Sequence, residues 1–116
     1  MPRLYTLTPL PRGPFESVDC VSRLLFGAIY DRYKLSSYSQ IGQGDSCPFY
    51  DWTRDELYCV ISQAELVDLT GMSERTVRRS LTALKAAGLI DWRKATYKGA
   101  NRYYIPQGIR EYLAKQ

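Results

Sequence analysis

The sequence predicts an α+β fold, with a long first helix, a pair of short helices, a small antiparallel sheet and a short C-terminal helix. Three observations predict it. Residues 62–71 and 73–88 each open on a serine and close on a glycine, so two capped helices follow one another across a short turn. They run without a gap into two strand-like stretches separated by Gly99, Ala100 and Asn101. The basic residues gather in the same place: residues 75–102 hold eight Lys and Arg against one acid, Asp91, a net of +7. The other residues hold eight basic and eleven acidic side chains, a net of −3. Two helices joined by a glycine-containing turn, with a strand pair as a wing, make a winged helix-turn-helix, an architecture that most often reads nucleic acid.

Residues 1–15 contain four prolines and no period, and predict an extended arm ahead of a single domain over 16–116. Arg3 and Arg12 of the arm reach nucleic acid on one reading and belong to a solvated tail on the other. A helix is predicted from Ser17 to about Leu35, where Val21, Leu24, Leu25, Ala28 and Ile29 recur at helical spacing. Asp19 near its start and Lys34 near its end suit its dipole. Residues 36–54 are polar and read as a long loop, and Leu57 to Ile61 as a short buried strand. Ser62 and Glu65 then form a capping box for a helix from Gln63 to Thr70, stopped at Gly71. Ser73 caps a second helix from Glu74 to about Ala87, closed by Gly88.

On that second helix Val77, Leu81 and Leu84 share one stripe, with Arg75, Arg79 and Thr82 nearly opposite and Arg78 on the flank. In a helix-turn-helix the N-terminal half of this helix enters the major groove. Arginine suits that place because its fork donates twice to guanine or to phosphate. The candidate contacts on the helix are therefore Ser73, Arg75, Thr76, Arg78, Arg79 and Thr82. A solvated arginine face is the bland alternative; the concentrated charge and the motif outweigh it. The wing is predicted as strands over 89–94 and 102–105, with Pro106 ending the pairing. Lys94, Lys98 and Arg102 flank its tip as candidates for the sugar-phosphate backbone. Trp92, Tyr103 and Tyr104 invite a stacking role on single strands, but core packing is favoured for Trp92 and one of the tyrosines. A last helix is predicted over 107–115.

Composition narrows the function classes. A chain of 116 residues that is 45% hydrophobic is one globular domain, too short for two cores. No apolar run approaches a membrane span and no signal-peptide pattern opens the chain, so a cytoplasmic protein is expected. There is no histidine, and Cys20, Cys47 and Cys59 have no metal-ligand spacing. Gly42-Gln43-Gly44 is a weak phosphate-loop signal with no helix pattern after it. No enzyme, metal or cofactor is expected.

The text Ser22-Arg23-Leu24-Leu25-Phe26-Gly27-Ala28-Ile29-Tyr30-Asp31-Arg32, the polar loop after it and the wing ending Gly99-Ala100-Asn101-Arg102-Tyr103-Tyr104 carry a family likeness. Over about residues 15 to 106 they resemble the N-terminal domain of plasmid replication initiator A proteins of Gram-positive bacteria. The resemblance implies a homodimer that binds repeated sites at a replication origin of a plasmid or mobile element. It implies Ser73, Arg75, Arg78, Arg79 and Lys98 as reading residues, and a separate C-terminal domain that engages replication-machinery proteins. This chain departs from that pattern by ending at Gln116 and by its proline-rich arm. A winged-helix transcriptional regulator at an operator is the alternative, and a protein-interaction module a third reading.

Overall fold

The computed structural model describes residues 8–39, 50–51, 53–54, 56–94 and 100–115. Residues 1–7 of the expected arm, Gly42-Gln43-Gly44, Cys47 and Lys98 lie outside them. The order is a 3₁₀ turn (Gly13–Phe15), α1 (Cys20–Ser39), β1 (Tyr50–Asp51), β2 (Glu56–Leu57), β3 (Cys59–Ser62), α2 (Gln63–Thr70), α3 (Glu74–Ala86), β4 (Asp91–Lys94), β5 (Ala100–Tyr104) and α4 (Gln107–Ala114).

The helix pair forms where the caps demand it. Ser62 Oγ accepts from the Glu65 N–H at 3.1 Å and the Glu65 carboxylate accepts from the Ser62 N–H at 3.5 Å, so both halves of the capping box are made. Gly71 then takes φ 73°, and its N–H reaches the Val67 carbonyl. Gly88, at φ 75°, ends α3 in a Schellman closure: its N–H bonds Lys85 O, and the Leu89 N–H bonds Leu84 O, both at 3.0 Å. This closure holds Leu89 out of the strand, so β4 starts at Asp91 instead of the expected residue 89. Leu89 and Ile90 are buried as core residues instead.

The first helix is shifted from its expected place. It starts at Cys20, because Asp19 accepts from the Ser22 hydroxyl and backbone N–H and so ends the chain's approach one turn later than Ser17. Its buried stripe is Ser22, Leu25, Phe26, Ile29 and Tyr33, while Val21 is exposed. Residues 8–15, expected as an extended arm, lie against the body. Phe15 is fully buried and edge-on to Phe26 at 4.9 Å, and Arg23 donates to Pro9 O at 3.0 Å.

The main sheet is antiparallel with order β3-β5-β4, so the returning wing strand is central. Register pairs Cys59 with Tyr103 and Tyr103 with Trp92 on the side facing the helices. Tyr103, Ile61 and Cys59 join Leu25, Ile29, Leu66, Val77, Leu81 and Leu84 in one core. At roughly 1.5–3 kcal/mol for each large apolar side chain buried, this core supplies the main drive for folding. The expected loop before β3 also contains a two-rung ribbon, β1 with β2, which pairs Tyr50 with Leu57 and Asp51 with Glu56.

Candidate nucleic-acid interface

Helix α3 is divided cleanly. Val77, Ser80, Leu81 and Leu84 are buried, and Arg75, Arg78, Arg79 and Thr82 are exposed. The apolar stripe docks the helix on the core, which forces the arginines outward by the 3.6-residue period alone. Arg75 and Arg78 form no ion pair among the described residues. Arg79 lies close enough to Asp19 for its charge to help hold that carboxyl low, after the larger effect of the Ser22 hydrogen bond. Unpaired guanidiniums on one exposed face raise the local potential for a polyanion.

Two of the expected helix contacts have other work. Ser73 Oγ accepts from the Thr76 N–H at 3.2 Å and donates to Thr76 Oγ1 at 2.9 Å. Both hydroxyls thus serve the N-cap, because a helix start leaves backbone donors that must find an acceptor. The Thr82 hydroxyl donates to Arg78 O at 3.1 Å, which leaves its methyl and oxygen lone pairs on the exposed face.

On the wing, Lys94 stands opposite Asn101 at the last pair before the tip. Arg102 does not flank the tip. It sits in the middle of β5 between Val60 and Arg93, and its guanidinium lies 4.6 Å from the Tyr58 ring centroid. A hairpin register one or two pairs longer than the tip residues suggest moves it inward, and the tyrosine face then holds it. Tyr103 and Tyr104 are both buried, on opposite faces of the sheet, so neither offers a free ring for a base. Trp92 is half-buried, tilted against Tyr103, and covered by the Lys85 ammonium at 4.6 Å.

The outer face of the sheet holds a polar cluster distinct from the exposed arginines of α3. Asp51 Oδ1 accepts from the Thr53 and Arg54 N–H groups at 3.0 and 3.2 Å, and Oδ2 accepts from the Tyr104 hydroxyl at 2.7 Å. The tyrosine bond and then the two backbone bonds outweigh burial and hold the Asp51 carboxyl below its ordinary range. Arg54 lies over the Tyr104 ring at 3.9 Å and donates to Asp91 at 3.0 Å and Glu56 at 3.2 Å. Asp91 also meets Lys85 at 3.7 Å; burial pushes its carboxyl up, but the Arg54 and Trp92 N–H bonds and the Lys85 charge bring it below the usual value. Asp91, the one acid of the basic segment, therefore joins ribbon, wing and α3. An aspartate followed two residues later by a turn-forming Thr is an Asx-turn signal in the sequence, and it marks this ribbon.

Among the described residues no group of three or more His, Cys, Asp or Glu is placed to hold a metal ion, and no helix is long and apolar enough to cross a membrane. The Cys59 thiol is buried and pushed up to about 12 by desolvation, far from nucleophilic use.

No family model matches the chain, and no curated protein matches it. Solved structures do share its fold. One described as a Rep–DNA complex superposes with a TM-score of 0.64 at 14% identity, over 90% of this chain and 75% of that one. An N-terminal domain of a DNA-binding protein gives 0.63 at 13% identity, over 97% and 85%. An MDR initiator gives 0.62 at 12% identity, over 97% and 88%. At such identities the likeness is one of fold, and the fold is an α+β winged helix.

Proposed function

We propose that this chain binds duplex DNA sequence-specifically, with α3 in the major groove and the wing on the backbone beside it. The observation that carries the reading is the exposed Arg75, Arg78 and Arg79 face, backed by a fully buried apolar stripe. The site of action is a set of repeated sequences at a replication origin of a plasmid or mobile element. The family resemblance of residues 15–106 supports this, as do fold neighbours described as a Rep–DNA complex and an initiator. The protein acts in the cytoplasm as a binding protein without catalysis or cofactor. It works as a homodimer, since one recognition helix reads only a few base pairs and two domains about 34–36 Å apart make a specific site. Replication-machinery proteins are the further partners that the family resemblance implies.

The test is selection from random duplex DNA followed by titration against salt. About 4–6 phosphate contacts give a log–log slope of roughly −4 to −5. Direct repeats among the selected sites support an origin; a lone palindrome transfers the chain to operator control. A slope near zero, or no selected duplex, removes the DNA reading.

A further inference from the structure

Residues 8–15, α1 and α4 line a cleft of about 430 Å³. Its walls are aromatic. Phe15 meets Phe26 edge-on at 4.9 Å, Phe26 stacks on Tyr30 at 5.9 Å, and Tyr112 closes the side at 6.1 Å from Phe15. The wall is fixed in place: Arg23 ties the chain at Pro9 O and Val18 O, and Gly13 turns at φ 55°. A Cβ at Gly13 would stand 2.8 Å from the Tyr112 ring, so the ring packs against bare backbone that only glycine provides.

The charge of the lining is one-sided. Among the described residues, Arg12 and Lys34 are its only charged members, and neither forms an ion pair. The Lys34 ammonium lies 5.2 Å from the Tyr30 ring centroid, at the edge of the aromatic wall. A cleft of this size falls within the range of small-molecule sites, which are mostly apolar with a few placed polar groups. Flat aromatic walls select a planar apolar body by offset or edge-on packing. Two exposed cations with no carboxylate partner among the described residues select an anionic end group, an arginine fork being shaped for a carboxylate.

We infer that this cleft binds a small aromatic carboxylate, its ring against the part-exposed Tyr30 and Tyr112, which the buried Phe15 and Phe26 back, and its carboxylate held by Arg12 and Lys34. None of the cleft's lining residues belongs to α3, and the inference does not rest on the DNA reading.

Binding is measured by amide chemical shifts of the DNA-free protein during titration with naphthoate, naphthylmethanol and naphthylmethylammonium. Naphthoate is expected to move residues 10–15, 26–34 and 112–113, with a dissociation constant of about 1 mM or tighter. The alcohol should bind about tenfold more weakly, and Lys34→Gln or Arg12→Gln should bring naphthoate to the level of the alcohol. Lys34 and Arg12 are exposed, so both variants keep the fold, which the unchanged amide spectrum elsewhere verifies. Equal affinity for all three probes overturns the carboxylate assignment, and no shift in the cleft overturns the site. Shifts of the same residues on raising protein concentration without a probe would give the cleft to a second copy, and also overturn it.

Discussion

The exposed face of α3 and the outer face of the sheet draw their cations from the same stretch of sequence, and the fold treats them in opposite ways. On α3 the helical period turns Arg75, Arg78 and Arg79 away from a packed stripe and leaves them in solvent. On the sheet side Arg102 lies on Tyr58, Lys85 covers Trp92 and meets Asp91, and Arg54 arrives from the ribbon to join Asp91 and Glu56. Net charge along a segment therefore overstates the charge on offer to a partner. A cation already paired with an internal carboxylate serves the fold first.

The sharpest way to break this contrast is through the buried side of α3. Leu84→Ala should lower unfolding free energy by about 2–5 kcal/mol in urea titration, the usual span for truncating a buried leucine. Arg78→Ala on the opposite face should stay within about 0.5 kcal/mol of the parent. Comparable losses from the two would mean that the arginine face is part of the packing.

Next in size is a crossed pair of variants. Arg54→Ala should cost about 1–3 kcal/mol of stability, because Asp91 and Glu56 lose a charged donor, while DNA affinity stays close to the parent. Arg79→Ala should leave stability alone, cost about 1–3 kcal/mol on the specific site and relax preference at one base position. If the two exchange roles, the division between reading and structural cations fails.

A smaller effect is expected from acid. The folded-state carboxyls of Asp51 and Asp91 titrate below the ordinary value of 3.8. Their contribution is thus complete above the unfolded carboxylate value of about 3.9 and is lost as pH falls through the lower folded values. Asp51→Asn should flatten the acid limb of a stability-against-pH curve, and a limb of unchanged steepness would show that Tyr104 and the ribbon do not depend on this carboxylate. Smallest of all, Lys98→Ala should weaken every duplex alike and shallow the salt slope by about one unit. A loss confined to one base position would instead make the wing tip a base reader.

Much of the fold was legible because it is written in local chemistry. The Ser62–Glu65 box, Gly71, Ser73 and Gly88 each fix a helix end through backbone groups within a few residues, and α2 and α3 fall where those signals put them. What escaped depends on contacts distant in sequence. Arg102 is held by Tyr58, forty-odd residues earlier, and its place follows from strand register, which turn residues alone leave free by a pair or two. The Asp51–Tyr104 bond spans 53 residues and stabilises a ribbon of only two rungs, too short for a period to show. On the site, the arginine stripe was readable from spacing; that Ser73 and Thr76 serve the cap was implicit in the same serine signal that located the helix.

Ser62 ends β3 and caps α2 at once, and its strand partner Ala100 begins β5. With no linker between β3 and α2, the start of the helix pair cannot drift from the sheet without breaking a ladder pair or a cap. On the proposed DNA reading, the sheet and the helix pair then form one gauge whose spacing is held by a hydrogen-bonded ladder and a cap. If α3 reads DNA as proposed, a change of target is cheapest by exchanging the exposed side chains at 75, 78 and 79, whose replacement leaves that gauge untouched.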